Sequence, residues 1–208
     1  MMSSYVVRYD IGFAPNPFYG WCSLACCKPD IRKATKIGDM VIGTSSTSGG
    51  RQTRFVYAMR VKETLDFQSY WIDGRFLSKR PNLSGSKKQL FGDNIYHQDV
   101  SGQWLQEDSR HSKLDGSRHE QHFLRDTKVN RVLLSDDFIY WGGVGHEIPS
   151  QFLHGDYGDD IVKSGQGKKN NFCSFFVKEF EDWFDRQDKG FKGQPTDWSE
   201  DILKKQLL

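Results

Sequence analysis

Acidic and imidazole side chains recur in the parts of this sequence that show no regular apolar period. His97 and His111 lie in a polar stretch, and Asp136 directly follows a predicted strand. Imidazole suits general acid–base chemistry at neutral pH, and a carboxylate can orient it. If the protein is an enzyme, we expect His97, His111 and Asp136 to be catalytic, although the spacing alone defines no nucleophile, base and orienting group.

The same segments carry groups that can hydrogen-bond the polar edge of a nucleobase. We predict this role for Asn16, Asn94, Tyr96, His97 and one of the neighbours Asp136 and Asp137. Neighbouring side chains of a strand point to opposite faces, so one of the two acids can face a pocket while the other caps a turn. We assign the base-binding role to Asp137 and keep Asp136 as the catalytic candidate.

An aromatic loop occupies residues 10–20, where Pro15 and Pro17 exclude regular structure. It carries Phe13 and Phe18, and Trp21 follows it. The rings either pack over the core as a lid or form a stacking surface for a flat ligand, which a proline-stiffened loop suits well. We predict base stacking for Phe13, Phe18 and Trp21.

A short helix with several cations is predicted directly after this loop. Pro29 suits the first helical position, and Lys28, Arg32 and Lys33 are close to it. Cations beside an aromatic loop could bind a phosphate, although a solvated charge is the commoner explanation for any single residue. We predict phosphate binding for these three residues.

Metal and cofactor sites find little support in the spacing. Cys22 and Cys26 could share a helical face, with His119 and His122 as a second pair, but structural zinc normally uses closer, repeated pairs. We therefore expect buried thiols and no metal. The glycine-rich segments 142–145 and 165–168 lack the context of a dinucleotide or phosphate-binding loop, so no cofactor is predicted.

The elements that must position these residues belong to the α+β class. Gly38 and Asp39 form a turn that leads into the apolar strand from Met40 to Ile42. Further strands are predicted at residues 5–9, 55–61, 131–134 and 138–141, with a helical turn at 22–25 and a helix after the capping residue Asp66. This order predicts a small β-barrel with flanking helices and a recognition pocket beside its first loop.

The chain is expected to divide into a first domain at residues 1–150 and a helical C-terminal extension at residues 151–208. A long polar insertion occupies residues 74–128 of the first part, and such insertions are usually functional or disordered. In the extension, an apolar stripe at helical spacing comprises Phe175, Phe176, Phe180, Trp183 and Phe184. We expect this stripe to pack against the same domain, and a last helix to start at Thr196 or Asp197.

Composition limits the classes of protein. The 208 residues carry 29 basic and 27 acidic side chains, a formal net charge of +2, which excludes a strongly basic nucleic-acid coat protein but not a local basic surface. No run approaches ~18 apolar residues, so no membrane association is expected. Four cysteines and an N-terminus without signal-peptide features predict reduced thiols in the cytoplasm.

Several motifs together resemble a known family. They are the aromatic-loop run from Tyr9 to Phe18, the segment Cys22 to Pro29, Gly38-Asp39, Pro81-Asn82, Gly92 to His97, Asp108 to Ser112 and Leu134 to Phe138. Over roughly residues 5–145 this pattern resembles the second of the nucleotide modification associated domain families. The resemblance implies a role in the DNA base modification systems of phages and bacteria.

A looser similarity concerns the order of strand, helix, Gly-Asp turn and strand. It is similar to the PUA-like group with its ASCH, EVE and YTH domains, whose members bind RNA or hold an extruded, modified base in an aromatic pocket. We therefore predict a protein that binds a nucleobase or nucleotide, free or within a nucleic acid, and acts in base modification.

Two alternatives remain open at this stage. The protein could be an enzyme that itself alters a base or nucleotide, or a sensor of free nucleotides in a defence system. The long insertion favours an enzyme, since catalysis needs a lid that excludes water and places titrating groups.

Overall fold

The largest sheet is built on the apolar segment that follows Gly38 and Asp39. Gly38 adopts φ 90°, a conformation that glycine adopts without steric cost. The turn leads into a strand that pairs in parallel with the N-terminal strand and antiparallel with the strand after it. The predicted Gly-Asp turn and apolar strand are therefore confirmed.

The computed structural model describes residues 1–46, 52–154, 159–165 and 167–198. Its strands are β1 Met2–Val7, β2 Cys22–Leu24, β3 Met40–Ser45, β4 Arg54–Arg60, β5 Glu63–Leu65, β6 Tyr96–Gln98, β7 Trp104–Gln106, β8 Val132–Ser135, β9 Phe138–Tyr140, β10 His146–Glu147, β11 Lys168–Lys169 and β12 Gly190–Phe191. Its α-helices are α1 Pro29–Ala34, α2 Phe67–Ile72, α3 Lys87–Leu90, α4 Glu120–Thr127 and α5 Ser174–Asp185. Short 3₁₀ helices span Gly74–Lys79, Gly142–Val144, Ser150–Phe152 and Thr196–Trp198.

The strands form a mixed sheet of seven strands and two smaller sheets. The order in the large sheet is β11-β1-β3-β4-β9-β12, with β10 paired to β4, and the smaller sheets are β2-β8-β5 and β6-β7. This confirms the α+β class. In the described parts of the chain the sheets stay open, and the PUA-like barrel stays a prediction.

Helix α5 covers one face of the large sheet. Its side chains Phe176, Phe180 and Phe184 are fully buried in one cluster with Met40 and Ile42. The predicted packing of the apolar stripe is confirmed for these residues. Phe175 is 68% exposed, so its inclusion in the buried stripe was wrong. It is next to Phe176 on the helix, and the 100° turn per residue carries it off the sheet-facing side.

The other face of the large sheet packs against β2 and β8. Cys22, Leu24 and Leu133 join Tyr57 and Val41 in a second buried cluster. The helical turn predicted for residues 22–25 was wrong, because Cys22–Leu24 pairs antiparallel with β8 and is buried throughout. Tertiary pairing overrides weak local preference in so short a segment.

Gly43 lies inside β3, where the lack of a side chain allows close packing against the neighbouring strand. The predicted apolar strand ended at Ile42, whereas β3 continues through Gly43 to Ser45. A Cβ at Gly43 would lie 2.5 Å from the ring of Tyr57, so the position requires glycine for close packing between two strands.

The polar insertion at residues 74–128 is an integral part of the fold. Its residues Phe76, Phe91, Ile95, Tyr96 and Phe123 are buried in the same cluster as Phe13 and Phe18 of the aromatic loop. The insertion therefore packs directly against the aromatic loop.

The helix capped by Asp66 is confirmed, since Asp66 Oδ1 accepts a hydrogen bond of 2.6 Å from the Ser69 amide.

The end of the chain is described only to Trp198. Thr196–Trp198 forms a 3₁₀ turn, and the rest of the predicted last helix lies outside the described residues. The division into residues 1–150 and 151–208 stays a prediction. Among the described helices none is both long enough and apolar enough to cross a bilayer.

Candidate active site

A cleft of about 260 Å³ opens where β1 ends and the aromatic loop begins. Its walls come from four segments: residues 5–9, the loop residues 11–14, residues 27–28 and the insertion. The insertion contributes Arg110, His111 and His122. The cleft therefore brings together residues that are distant in the sequence and puts two imidazoles and a thiol on its wall.

Cys27 and Lys28 connect β2 to α1 in an unusual backbone conformation. Their φ angles are 58° and 43°, in the left-handed region that costs a non-glycine residue on the order of 1–2 kcal/mol. Two contacts hold this turn: the Cys27 amide donates to Asp126 Oδ1 over 2.9 Å, and Arg32 Nε donates to the Cys27 carbonyl over 2.9 Å. Strain of this kind is concentrated at functional sites, and here it places the Cys27 thiol at the cleft.

Asp126 lies on the buried face of α4, one turn after Phe123. Its Oδ1 accepts from the Cys27 amide and from Arg125 Nε, over 2.9 and 3.0 Å. Its Oδ2 accepts from Tyr96 Oη at 3.0 Å and lies 2.8 Å from His111 Nδ1. Burial alone would raise the pKa of this carboxyl, but the hydrogen bonds and charges of His111 and Arg125 lower the pKa to about 2. Asp126 is therefore ionised at neutral pH.

His111 connects this carboxylate to the thiol. An ionised carboxylate can only accept hydrogen bonds, so Nδ1 of His111 must carry the proton and Nε2 must have the free lone pair. Nε2 lies 3.6 Å from Cys27 Sγ, and the ring packs edge-on against Phe13 with centroids 4.6 Å apart. A thiol, an imidazole and a carboxylate in series can act as nucleophile, base and orienting group, as they do in enzymes that use covalent catalysis.

The pKa shifts describe the resting protonation state of this series. Burial, and then the charge of Asp126, raise the pKa of the Cys27 thiol to about 11. Burial lowers the pKa of His111 more than its hydrogen bond to Asp126 raises it. At neutral pH the pair is thus a neutral thiol beside a neutral imidazole, and the thiolate can form only when His111 takes the proton.

Arg125 and two further histidines surround the series. Arg125 Nη2 lies 3.4 Å from His111 Nε2 and 3.7 Å from Cys27 Sγ. The ring of His122 lies 4.5 Å from that of His111, and His119 stacks on His122 at 4.2 Å. Burial and neighbouring positive charges lower the pKa of His122 to about 4. The surroundings are therefore cationic or neutral, apart from Asp126.

Three residues of this region offer ligand atoms for a metal ion. Atoms of Cys26, His111 and Asp126 lie within 4.8 Å of one another. A shared metal would have to replace the hydrogen bond between His111 and Asp126, and both carboxylate oxygens already accept from protein donors. The donor set fits an ion less well than it fits the hydrogen-bonded series.

The other predicted acid–base residues lie elsewhere. His97 stacks on Trp71 with centroids 4.0 Å apart, and its Nε2 lies 2.7 Å from Glu107 Oε1. Asp136 is exposed and lines a separate hollow of about 320 Å³. In the described cavities, His97, His111 and Asp136 do not line a common wall.

The predicted base-edge amides are buried in the fold. Asn16 Nδ2 donates to the Phe91 carbonyl over 3.0 Å, and its Oδ1 accepts from Lys79 Nζ over 2.6 Å. Asn94 Nδ2 donates to the Tyr70 carbonyl over 2.9 Å. Both amides join the insertion to its neighbours. Tyr96 is buried as well, and as described above its hydroxyl holds Asp126.

The predicted stacking rings separate into three environments. Phe13 lines the cleft against His111 and is 3% exposed. Phe18 stacks on Trp198 with centroids 5.5 Å apart. Trp21 is half-buried and meets Phe76 edge-on. Of the three, Phe13 is the one whose ring borders the cleft.

The predicted phosphate-binding cations also differ in placement. Arg32 is fully buried and donates to four backbone carbonyls. Lys33 is exposed on α1 and lines none of the described cavities. Lys28 lines the cleft. Asp137, predicted to bind a base, pairs with Arg60 at 2.9 Å.

Cys27 and Asp126, the candidate nucleophile and its orienting group, were not predicted from the sequence. One local signal pointed to Asp126: it lies three residues after Phe123, on the apolar face of α4, where a buried carboxylate needs partners. Cys27 carries no such signal, because its strained backbone and its contact with His111, 84 residues away, exist only in the folded chain.

Comparison with protein families identifies the chain. The model of the family described as nucleotide modification associated domain 2 matches residues 1–202. The chain belongs to this family, as its motifs suggested. Searches of curated proteins and of solved structures gave no significant match.

Proposed function

We propose that this protein is an enzyme of a nucleotide modification system, with Cys27 as nucleophile, His111 as general base and Asp126 as orienting group. The observation that carries the proposal is the series of contacts from Asp126 Oδ2 through His111 to Cys27 Sγ, at 2.8 and 3.6 Å, on the wall of a cleft. A thiol–imidazole distance at the long end of hydrogen-bonding range is common before substrate binds.

The substrate follows from the family and from the chemistry of a thiol. The family is associated with nucleotide modification, and a thiolate adds to a carbon that is conjugated with a carbonyl or an imine. Pyrimidines offer such a carbon at C6. We therefore assign a pyrimidine nucleotide as substrate.

In the proposed step, His111 Nε2 takes the Cys27 proton while Sγ bonds to C6 of the base. The electron pair of the C5–C6 double bond moves into the conjugated ring, which makes C5 nucleophilic. C5 then takes a deuteron from the solvent and gives up its original hydrogen to the solvent as a proton. The C5–C6 double bond re-forms as Sγ is expelled, and Sγ takes back a proton from His111. This cycle consumes no co-reactant. In a modification reaction, C5 would bond to a carbon electrophile in place of the proton.

Hydrogen exchange at C5 tests this step without knowledge of the second substrate. The protein is incubated in deuterated water with deoxycytidine monophosphate, deoxyuridine monophosphate or a short single-stranded oligonucleotide that contains both bases. The H5 signal is followed by proton NMR. We expect loss of the signal with at least one of these ligands, and no loss with Cys27→Ser.

Cys173→Ser is the matched control, because Cys173 lies at the start of α5, is half-buried and lines none of the described cavities. It should exchange like the parent protein. Exchange that survives Cys27→Ser, or parent protein that exchanges none of the three ligands at full binding, would overturn the proposed step.

The alternative is a protein that binds a base without altering it, called here a reader, and the rings in the cleft are the observation that favours it. Phe13 and the exposed ring of Tyr9 line the cleft and would hold a base without any reaction. In that case Cys27→Ser should leave ligand affinity unchanged, and no C5 exchange should be seen in the parent protein. Loss of exchange with affinity retained separates the enzyme from the reader.

A metal site is the second use that the same residues permit, through Cys26, His111 and Asp126. Elemental analysis of the purified protein distinguishes it. If the protein holds about one zinc per chain, and a chelator removes both the zinc and C5 exchange, His111 is a metal ligand and not the proposed base. We expect less than stoichiometric zinc and exchange that survives the chelator.

A further inference from the structure

Three cations surround the opening of the cleft. Arg8 follows β1, Lys28 precedes α1 and Arg110 precedes His111, and all three line the cleft. Arg8 and Arg110 are exposed, and none of the three has an acidic partner within the described ranges of the chain. Many other arginines are paired: Arg60, Arg75, Arg118 and Arg125 each contact a carboxylate.

The cleft has no compensating negative charge on its surface. Its described lining residues include no aspartate or glutamate, and the nearby carboxylate of Asp126 is fully buried and occupied by four partners. A concave site lined by one sign of charge concentrates the electric potential and attracts ions of opposite charge. In a protein of net charge +2, this is a local property of the cleft.

Tyr9 places a flat surface beside these cations. Its ring is 59% exposed and lies 5.2 Å from the Arg8 guanidinium carbon. Exposed tyrosines next to arginine are suited to base stacking with a phosphate alongside. The combination of an apolar cleft, an exposed ring and three cations without an acidic partner matches a base joined to an anionic sugar phosphate.

A second groove of about 750 Å³ continues from the cleft. It shares Val6, Arg8 and Lys28 with the cleft and adds Lys163 with the hydroxyls of Ser45 and Ser164. Its one described carboxylate, Asp160, accepts from the Val162 amide and lies 3.3 Å from His154 Nε2, so the described cations of the groove outnumber its acids. The cations thus continue beyond the space that one nucleotide would fill. A neighbouring phosphate of a strand would lie in this groove, whereas a free nucleotide would leave it empty.

We propose that Arg8, Lys28 and Arg110 form the phosphate-binding site for the nucleotide whose base enters the cleft; this rests on the proposed function of Cys27. The guanidinium groups can each donate two hydrogen bonds to one phosphate, and Lys28 adds a point charge. The phosphate belongs either to a free nucleotide or to a nucleotide within a single strand.

Binding measurements by titration calorimetry test the site. The probes are deoxycytidine, its 5′-monophosphate and a five-residue oligodeoxycytidine. We expect Arg8→Gln and Arg110→Gln each to weaken binding of the monophosphate about tenfold and to leave binding of deoxycytidine unchanged. The matched control is Arg186→Gln, an exposed arginine at the end of α5 that lines none of the described cavities; it should alter nothing.

Lys163→Gln separates the two sources of the phosphate. Weaker binding of the oligonucleotide alone, with a shallower dependence of log affinity on log salt by ~0.7, indicates a strand. Unchanged binding of both the monophosphate and the oligonucleotide by Lys163→Gln indicates a free nucleotide. Both results concern only the source of the phosphate, and support for the site itself comes from the selective loss of monophosphate affinity in Arg8→Gln and Arg110→Gln.

The proposal is overturned if the monophosphate binds no more tightly than deoxycytidine, or if Arg8→Gln and Arg110→Gln reduce the affinity of both ligands equally. A wrong phosphate site and a wrong catalytic step give different experimental results. If the phosphate site is wrong but Cys27 is the nucleophile, C5 exchange proceeds equally well with the nucleoside. If only the chemistry is wrong, phosphate-dependent binding persists without exchange.

Discussion

Two buried polar clusters adjoin the segment from Ser23 to Cys27, and they differ in how fully their groups are occupied. In the first, Lys79 Nζ lies 2.6–3.0 Å from four oxygens of Asn16, Trp21 and Ser23. Asp93 accepts from Ser23 and Tyr70 at 2.7 and 2.9 Å. We call this the Lys79 cluster. None of the described cavities is lined by Lys79 or Asp93.

The second cluster consists of Cys27, His111, Asp126 and Arg125 and is called here the Cys27 cluster. Its carboxylate is as well satisfied as Asp93, but its thiol meets His111 only at 3.6 Å, and the backbone at Cys27 is strained. His111 and Cys27 also border a cleft. Buried charge is thus common to both clusters, while an open cleft, a strained backbone and a thiol with a long contact to His111 make the second the candidate functional site.

The largest expected effect is the loss of chemistry in Cys27→Ser. If the Cys27 cluster is catalytic, this change should lower the C5 exchange rate by at least ~10³-fold, because the hydroxyl is a far weaker nucleophile and His111 cannot compensate. Stability should change little, since the side chain is half-buried and close in size. Exchange by proton NMR and unfolding in urea measure the two effects. If Cys27→Ser were less stable but still catalysed C5 exchange at the parent rate per folded molecule, the Cys27 cluster would support the fold and not the reaction.

The Lys79 cluster should show the reverse behaviour. Lys79→Met leaves several buried oxygens unsatisfied and Asp93 without its neighbouring cation, which should lower the free energy of unfolding by ~3–5 kcal/mol. Lys178→Met on the exposed side of α5 is the control and should leave the free energy of unfolding nearly unchanged. Urea titration decides the point. A loss below ~1 kcal/mol would mean that the first cluster does not support the fold.

Acid should affect the Cys27 cluster through Asp126. The pKa of this carboxyl is lowered to about 2 from 3.8, so its ionisation stabilises the fold above pH 3.8. This contribution, about 2 kcal/mol, is lost as the pH falls through the folded pKa. Asp126→Asn removes it. The difference in unfolding free energy between parent and variant should therefore shrink by about 2 kcal/mol between pH 5 and pH 2. A difference independent of pH would show that Asp126 is not preferentially ionised in the folded state.

The pH dependence of exchange tests the neutral thiol–imidazole pair. Burial lowers the pKa of His111 below 6.5, and only the neutral ring can accept the Cys27 proton. The rate should therefore be constant near neutral pH and fall only as the pH drops below about 6.5. Since burial raises the pKa of Cys27 to about 11, the rate should show no step between pH 8 and 9. A rise in that interval would indicate an ordinary thiol that acts without His111.

The smallest expected effect concerns Arg125. Its charge lowers the pKa of both His111 and Cys27, so Arg125→Gln should raise both. The acidic limb of the exchange profile should shift upward, by less than about one pH unit because the arginine is 40% exposed and screened by solvent. Lys33→Gln, on the exposed side of α1, should leave the limb in place. A downward shift would contradict the assigned direction.

Much of the fold was predictable because it depends on local interactions. The turn at Gly38, the cap at Asp66 and the apolar face of α5 each follow from residues within about one helical turn or one strand pair. The strand at Cys22–Leu24 was not predictable in this way, because only its pairing with β8, more than 100 residues later, makes it a strand.

The amino-acid sequence by itself determined the α+β class, the family and His111 as a candidate base. Tertiary structure decided which groups His111 meets: Asp126, 15 residues away, and Cys27, 84 residues away. It also decided that Arg32 donates hydrogen bonds to backbone carbonyls, whereas Arg8 and Arg110 line the cleft. The physical reason is that propensity and periodicity report contacts within a few residues, whereas a site of this kind is made by contacts between distant segments that form only when the core packs.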